Sequence, residues 1–162
     1  MPFQMFALAE KNGVSVLYWD FKKPFEAVYL ALPGCPPVIG LCRSLLNSRA
    51  HFRSVFAEEL GHHFTSAGTN VLKPHFHYSD KLLYSRDEYR AMKWAANYLI
   101  PEEELKYAVQ KRGLTEVWQL ADYFCVDEEI VDFRLRLLGD MEDFREENFK
   151  KYKLKGWVSL NH

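Results

Sequence analysis

The sequence predicts a small α+β domain, a short and mostly antiparallel sheet followed by a run of helices. Three observations predict it. Between residues 14 and 42, three short stretches rich in β-branched and aromatic residues are separated by Pro and Gly. From residue 49 onward, apolar residues recur at helical rather than alternating spacing. The 162 residues, 48% apolar and 27% charged, suffice for one good hydrophobic core and not for two ordinary domains.

The elements follow in order. Phe3–Lys11 is expected to be a short amphipathic helix, stopped by Asn12-Gly13. Val14–Trp19, Phe25–Leu32 and Val38–Cys42 are expected strands, broken by Pro33-Gly34 and Pro36-Pro37. Arg49–Thr65 carries Phe52, Val55, Phe56, Leu60 and Phe64 near helical period, with Phe56 read as core. Ser66–Ser85, with Gly68, Asn70 and Pro74, reads as a long irregular loop. Arg86–Ile100 is a second helix in this region, with Trp94 read as core. Pro101 is placed at the first position of the next helix, ahead of Glu102, Glu103 and Glu104, and Gly113 ends it. Thr115–Phe124 and Glu128–Leu138 are two further helices joined around Cys125–Asp127. From Gly139 the chain reads as a solvated, charged end. The expected division is a first unit over 1–112 and a helical C-terminal extension over 113–162, packed on the first.

Composition narrows the function. The formal net charge is −1, so no global field favours nucleic acid or an anionic membrane. Cys35, Cys42 and Cys125 are an odd number without CxxC spacing, which argues against a disulfide scaffold and a cysteine-based zinc site. The opening MPFQMFALAEKNG lacks a basic start, and Glu10 and Lys11 interrupt its apolar stretch, so it does not read as a signal peptide. The longest uncharged run, Ala27 to Cys42, contains three prolines and is too short to span a bilayer. The expected location is the cytoplasm.

The chemistry concentrates in Phe56-Ala57-Glu58-Glu59-Leu60-Gly61-His62-His63-Phe64. Glu58 and His62 stand four apart on a helix and share one face, the spacing by which a helix gives two ligands to one metal. Glu59 is rotated by about 100° from Glu58, since a turn takes about 3.6 residues. In HExxH peptidases that offset lets the glutamate act as general base. A solvated surface pair is the simpler reading of such a spacing taken alone.

Two segments together carry a family resemblance. Arg53-Ser54-Val55-Phe56-Ala57-Glu58-Glu59-Leu60-Gly61-His62-His63 resembles the core helix of the ImmA/IrrE family of metallo-endopeptidases. Glu88-Tyr89-Arg90-Ala91-Met92-Lys93-Trp94-Ala95-Ala96-Asn97-Tyr98-Leu99-Ile100-Pro101 resembles that family's second helix. The resemblance runs from Phe3 to Leu105 and continues to Leu138. It implies a zincin-like fold in which the sheet packs on a metal-binding helix and a second ligand helix. It implies Glu58, His62 and Glu88 as metal ligands, zinc as the metal, and Glu59 as the base for a metal-activated water. It also implies a protein substrate, a helix-turn-helix repressor or other regulator of the phage or mobile-element type. The expected place for a substrate strand is the sheet edge at Pro37–Leu41.

Glu58 departs from the family pattern, which has His at the first ligand position. His-His-Glu leaves zinc with a net charge of about +1, whereas Glu-His-Glu leaves it near 0. A less positive metal acidifies water less, and harder carboxylates favour manganese or another divalent ion over zinc. A second reading therefore stays open, in which the site is degenerate and the protein binds a repressor without cutting it. His75 and His77 are either ordinary loop residues or a source of the missing imidazole. His63 is expected to pair with Glu59, and a shifted site of Glu59 and His63 is the other arrangement. His51 reads as structural or solvated. Tyr78 and Tyr84 either pack the loop or donate to an oxyanion. Leu114–Leu138 has the rhythm of a helix-turn-helix, but its two basic and six acidic residues would repel phosphate, so no nucleic acid is expected.

Overall fold

The computed structural model describes residues 2–66, 73–76 and 86–139. Helix α1 (Pro2–Lys11) precedes strands β1 (Ser15–Trp19), β2 (Phe25–Leu30) and β3 (Val38–Cys42). A 3-10 turn at Arg43–Asn47 leads into α2 (Arg49–Thr65). Then come β4 (Lys73–Phe76), α3 (Arg86–Leu99), α4 (Glu102–Gln110), α5 (Val117–Phe124) and α6 (Glu128–Gly139). The fold class is α+β, as the sequence predicts.

The strands form one mixed sheet in the order β1-β3-β2-β4. β1 runs parallel to β3 with Ser15 opposite Val38, while β2 is antiparallel to both β3 and β4. Two expectations are corrected here. Pro37–Leu41 is not an edge, because β3 lies between β1 and β2. Its sequence lacks the polar alternation of a half-exposed strand, and from Ile39 to Cys42 every residue is buried. The segment read as an irregular loop contains β4, at the opposite edge from β1. Pro74 hid it, since Pro weakens a strand pattern, yet Pro is tolerated on an edge strand where one side of the backbone has no partner to serve. A smaller correction concerns Pro101, which caps α4 from outside, with φ −59° and ψ 143°, rather than occupying its first turn.

Helix α2 is the centre of the molecule. Ser48 caps it by accepting a hydrogen bond from the His51 N–H at 3.3 Å. Every residue from Ser54 to His62 is buried, so the helix has no solvent face over that length. Phe6 of α1 packs on Phe56 with ring centroids 4.9 Å apart, and Tyr18 of β1 stacks near Phe52. Phe56 is fully buried, as expected of core. Trp94 is only partly buried and forms the middle of a stacked ladder with Phe64 and Tyr98.

The α5–α6 pair is tied back onto this centre. The turn between the two helices puts Cys125 in the left-handed region, with φ 53°. Arg53 donates to the carbonyls of Phe124 and Cys125, and the Asp127 N–H donates to Ser54 Oγ at 2.8 Å. His51 bridges two carboxylates, Asp127 at 2.6 Å and Glu26 of β2 at 3.1 Å. The Asp127 hydrogen bond is the main reason that its imidazole is pushed up to about 9, against the opposing effect of burial. His51 is thus structural, joining sheet, α2 and the α5–α6 turn. Its folded value is above the ordinary 6.5, so its contribution is complete below that pH and is lost as pH rises through about 9. Because the ring is partly exposed, the discounted contribution is about 1–2 kcal/mol. His51→Gln should therefore lower the melting temperature by roughly 5 °C at pH 6, with the deficit shrinking above pH 9. Thermal unfolding of the two proteins at both pH values checks this, and a deficit that does not depend on pH would contradict it.

Candidate metal centre

The site begins with a close approach of two helices. At Gly61 a Cβ would lie 2.4 Å from the Ala91 carbonyl oxygen, so α2 and α3 touch backbone to backbone there. Gly61 immediately precedes His62, and Ala91 lies three residues after Glu88 on the same face of α3. The contact therefore brings the end of α2 against the first turn of α3. One ligand atom each from Glu58, His62 and Glu88 lies within 4.8 Å of the other two. His62 Nε2 stands 3.2 Å from Glu88 Oε2. Glu58 and His62 are almost wholly buried, and Glu88 keeps partial access to solvent. The structure thus brings together the three residues expected to share a metal.

Electrostatics give these groups a common requirement. Burial pushes the Glu58 carboxyl up to about 8, helped by Glu88 and Glu129 and opposed by His62. Glu59 is 0% exposed, and burial, with the charges of Glu58 and Glu88, holds its carboxyl well above the usual range. Neither Glu59 oxygen has a hydrogen-bond partner among the described residues, and neither does Nδ1 of His62. Isolated buried carboxyls are costly. A divalent cation answers that cost, since it favours the charged form of every carboxylate around it. The donor set, two carboxylates and one imidazole on two rigid helices, fits such an ion.

Other expectations fare differently. His63 does not pair with Glu59; its Nδ1 lies 3.0 Å from the Tyr29 hydroxyl of β2. Its ring stays partly exposed, and burial pushes it below the usual imidazole range. The helix turns His63 toward the sheet and Glu58–His62 toward α3, so the shifted Glu59–His63 arrangement does not form. His75 lies on β4 opposite Ala27. The His75 side chain, His77, Tyr78 and Tyr84 lie outside the described residues. Cys35, Cys42 and Cys125 are all free thiols. Among the described residues no helix is long and apolar enough to cross a membrane.

Two contributors escaped the sequence reading. Gly61 carried a signal, a glycine in the middle of a helix beside a presumed ligand, which points to a close helix contact. Glu129 carried none, because only the packing of α6 reveals that its charge reaches Glu58.

The family profile of the IrrE N-terminal-like domain (Peptidase_M78) matches residues 9–136. The chain belongs to this family. It is a metallopeptidase family, and the match takes in α2, α3 and most of α6. No curated protein matches the chain significantly.

Proposed function

We propose that this IrrE-type domain is a metal-dependent endopeptidase that hydrolyses a peptide bond in a regulatory protein, with a helix-turn-helix repressor of a phage or other bacterial mobile element as its substrate. The observation that carries the reading is the convergence of Glu58, His62 and Glu88 beside the buried, unpartnered Glu59. In this reading Glu58, His62 and Glu88 hold the metal, zinc or a harder divalent ion such as manganese. The metal supplies Lewis acidity and an activated water. Glu59 accepts a proton during attack and returns it to the leaving amine. Burial, with the charges of Glu58 and Glu88, holds its carboxyl well above the usual range, which favours its taking up the proton. The substrate strand would add to an edge of the sheet, and we assign β4, which lies in the connection between the two ligand helices. The free thiols suit a cytoplasmic setting.

The substitution at Glu58 favours a second reading, a relic that binds a repressor without cutting it. One set of variants separates the two. In the enzyme reading, purified protein carries close to one divalent metal, and His62→Ala and Glu88→Ala lose it, as read by elemental mass spectrometry. Glu59→Gln keeps the metal and loses cleavage of a candidate repressor by at least about a thousandfold, the scale of removing a general base from a preorganised site. Metal retention with no cleavage by the unmodified protein, and unchanged repressor binding in Glu59→Gln, would support the binding module instead.

A further inference from the structure

A cavity of about 570 Å³ lies where α1, α2, α3 and α5 meet. Gln4 and Met5 line it from α1, Arg53 from α2, Tyr98 from α3, and Tyr123 and Phe124 from α5. Its volume is that of a small-molecule site, and a wall of apolar and aromatic groups with a few polar ones is the make-up of such sites. It is separate from the metal centre. Tyr98 stands ten positions beyond Glu88, about 15 Å further along α3. Arg53 stands five positions before Glu58, a spacing that turns it about 140° around α2, away from the ligands.

Arg53 gives the cavity its chemistry. Its Nη1 donates to the carbonyls of Phe124 and Cys125, acceptors left open at the C-terminal end of α5. Those carbonyls fix the guanidinium in place, but they carry only the partial negative charge of a helix end. Among the described residues no carboxylate pairs with Arg53, and its Nε is buried without a hydrogen-bond partner. A partly buried cation without a counter-ion is costly, and an anion seated against it offsets that cost. The same charge reaches Tyr98, whose hydroxyl burial pushes up while Arg53 opposes the rise. Glu104 also lines the cavity, but it is exposed, so solvent screens its charge.

We propose that this cavity binds a small carboxylate with an aromatic or apolar body, the carboxylate held by the Arg53 guanidinium and the body seated among Met5, Tyr98, Tyr123 and Phe124. The planar guanidinium matches a carboxylate in shape as well as charge. With Nη1 committed to the two carbonyls, Nη2 and Nε are the side of the fork left for a ligand. Neighbouring atoms cover Nε, so the carboxylate meets Nη2 first and reaches Nε on a small turn of the guanidinium. The enclosure by four helices favours a free small molecule over a chain segment. The site does not depend on the metal reading.

The test uses the full chain as purified, titrated by calorimetry with 3-phenylpropionate and with its neutral amide. The acid is expected to bind at least about tenfold more tightly than the amide, the scale of a hydrogen-bonded charge pair. Arg53→Lys keeps the charge, loses the fork, and should weaken the acid about tenfold. Because Arg53 also ties down α5, a second variant works from the rim: Gln4→Trp, at an exposed position of α1, fills the cavity with Arg53 left in place and should abolish binding. His62→Ala, remote from the cavity, should bind the acid as the unmodified protein does. Equal affinity for acid and amide, or undiminished binding in Gln4→Trp, would overturn the proposal. So would failure of the acid to bind at millimolar concentration. Binding only by a tetrapeptide ending in a free Phe carboxylate would replace the small molecule with a chain terminus.

Discussion

Gly61→Ala should cost this protein its metal centre and a large part of its stability. The added methyl would sit 2.4 Å from the Ala91 carbonyl oxygen, and within 2.9 Å of two further Ala91 backbone atoms. Those atoms belong to a helix and cannot swing aside as the end of a side chain would. Helix propensity alone predicts the opposite sign, because alanine in place of glycine favours a helix by about 1 kcal/mol. Overpacking against backbone costs about 1–3 kcal/mol and sometimes more, and the nearly complete burial around Gly61 puts this position at the upper end. The net expectation is a loss of about 2 kcal/mol or more, read as a lower urea midpoint. The functional loss is larger. To admit the methyl, α3 must move away from α2, and Glu88 moves with it. His62 and Glu88 now stand 3.2 Å apart, and ligand geometry tolerates little displacement. Metal affinity should fall by at least about a hundredfold, the upper range for disturbing the groups that orient ligands. Titration of the refolded variant with manganese or zinc checks this. Unchanged affinity with lowered stability would mean that the helix contact serves only packing.

That dependence explains which parts of the structure were legible in the sequence. Helix α2 was readable to its ends, Arg49 and Thr65, because its apolar residues keep helical period. The Glu58–His62 spacing was readable for the same reason, since residues four apart share a face whatever surrounds them. Glu88 was different: it lies twenty-six positions beyond His62, and only the resemblance of two whole segments suggested it. The first three strands were legible as elements, but β4 and the order β1-β3-β2-β4 were not. A parallel pairing of β1 with β3 depends on contacts distant in sequence, and the unbroken apolar run of β3 could belong to a central or an edge strand. His63 shows the limit at the scale of one residue. Helical spacing offered Glu59 as its partner, whereas the sheet supplied Tyr29, and tertiary placement decided between them.

Two adjacent buried glutamates make the metal-free protein a poor match for neutral pH, and this gives the second large prediction. Glu58 in the folded chain is pushed up to about 8, chiefly by burial, from an ordinary value of 4.5. A carboxyl raised on folding stabilises the fold in its protonated state. Its contribution is therefore complete below pH 4.5 and is lost as pH climbs from there through about 8. For a group this buried, the whole shift corresponds to a loss on the order of 5 kcal/mol across that window. Glu59 acts in the same direction, being raised by burial and by the neighbouring charges of Glu58 and Glu88. Protein stripped with a chelator should accordingly melt roughly 10 °C lower at pH 8 than at pH 5. Added divalent metal should reverse the trend, since it binds the ionised carboxylates and must displace their protons. Its stabilising effect should thus be small at pH 5 and large at pH 8, with proton release detectable in weakly buffered solution. His51 also loses its contribution on the alkaline side, so the decisive comparison is Glu58→Gln, which keeps the shape and removes the titrating group. In that variant the fall between pH 5 and pH 8 should be smaller, with the share of Glu59 remaining, and metal should no longer restore stability. A metal-free melting temperature that stays level or rises between pH 5 and pH 8 would show that Glu58 is ionised at little cost in the folded chain, and would remove the electrostatic strain that a bound cation is expected to relieve.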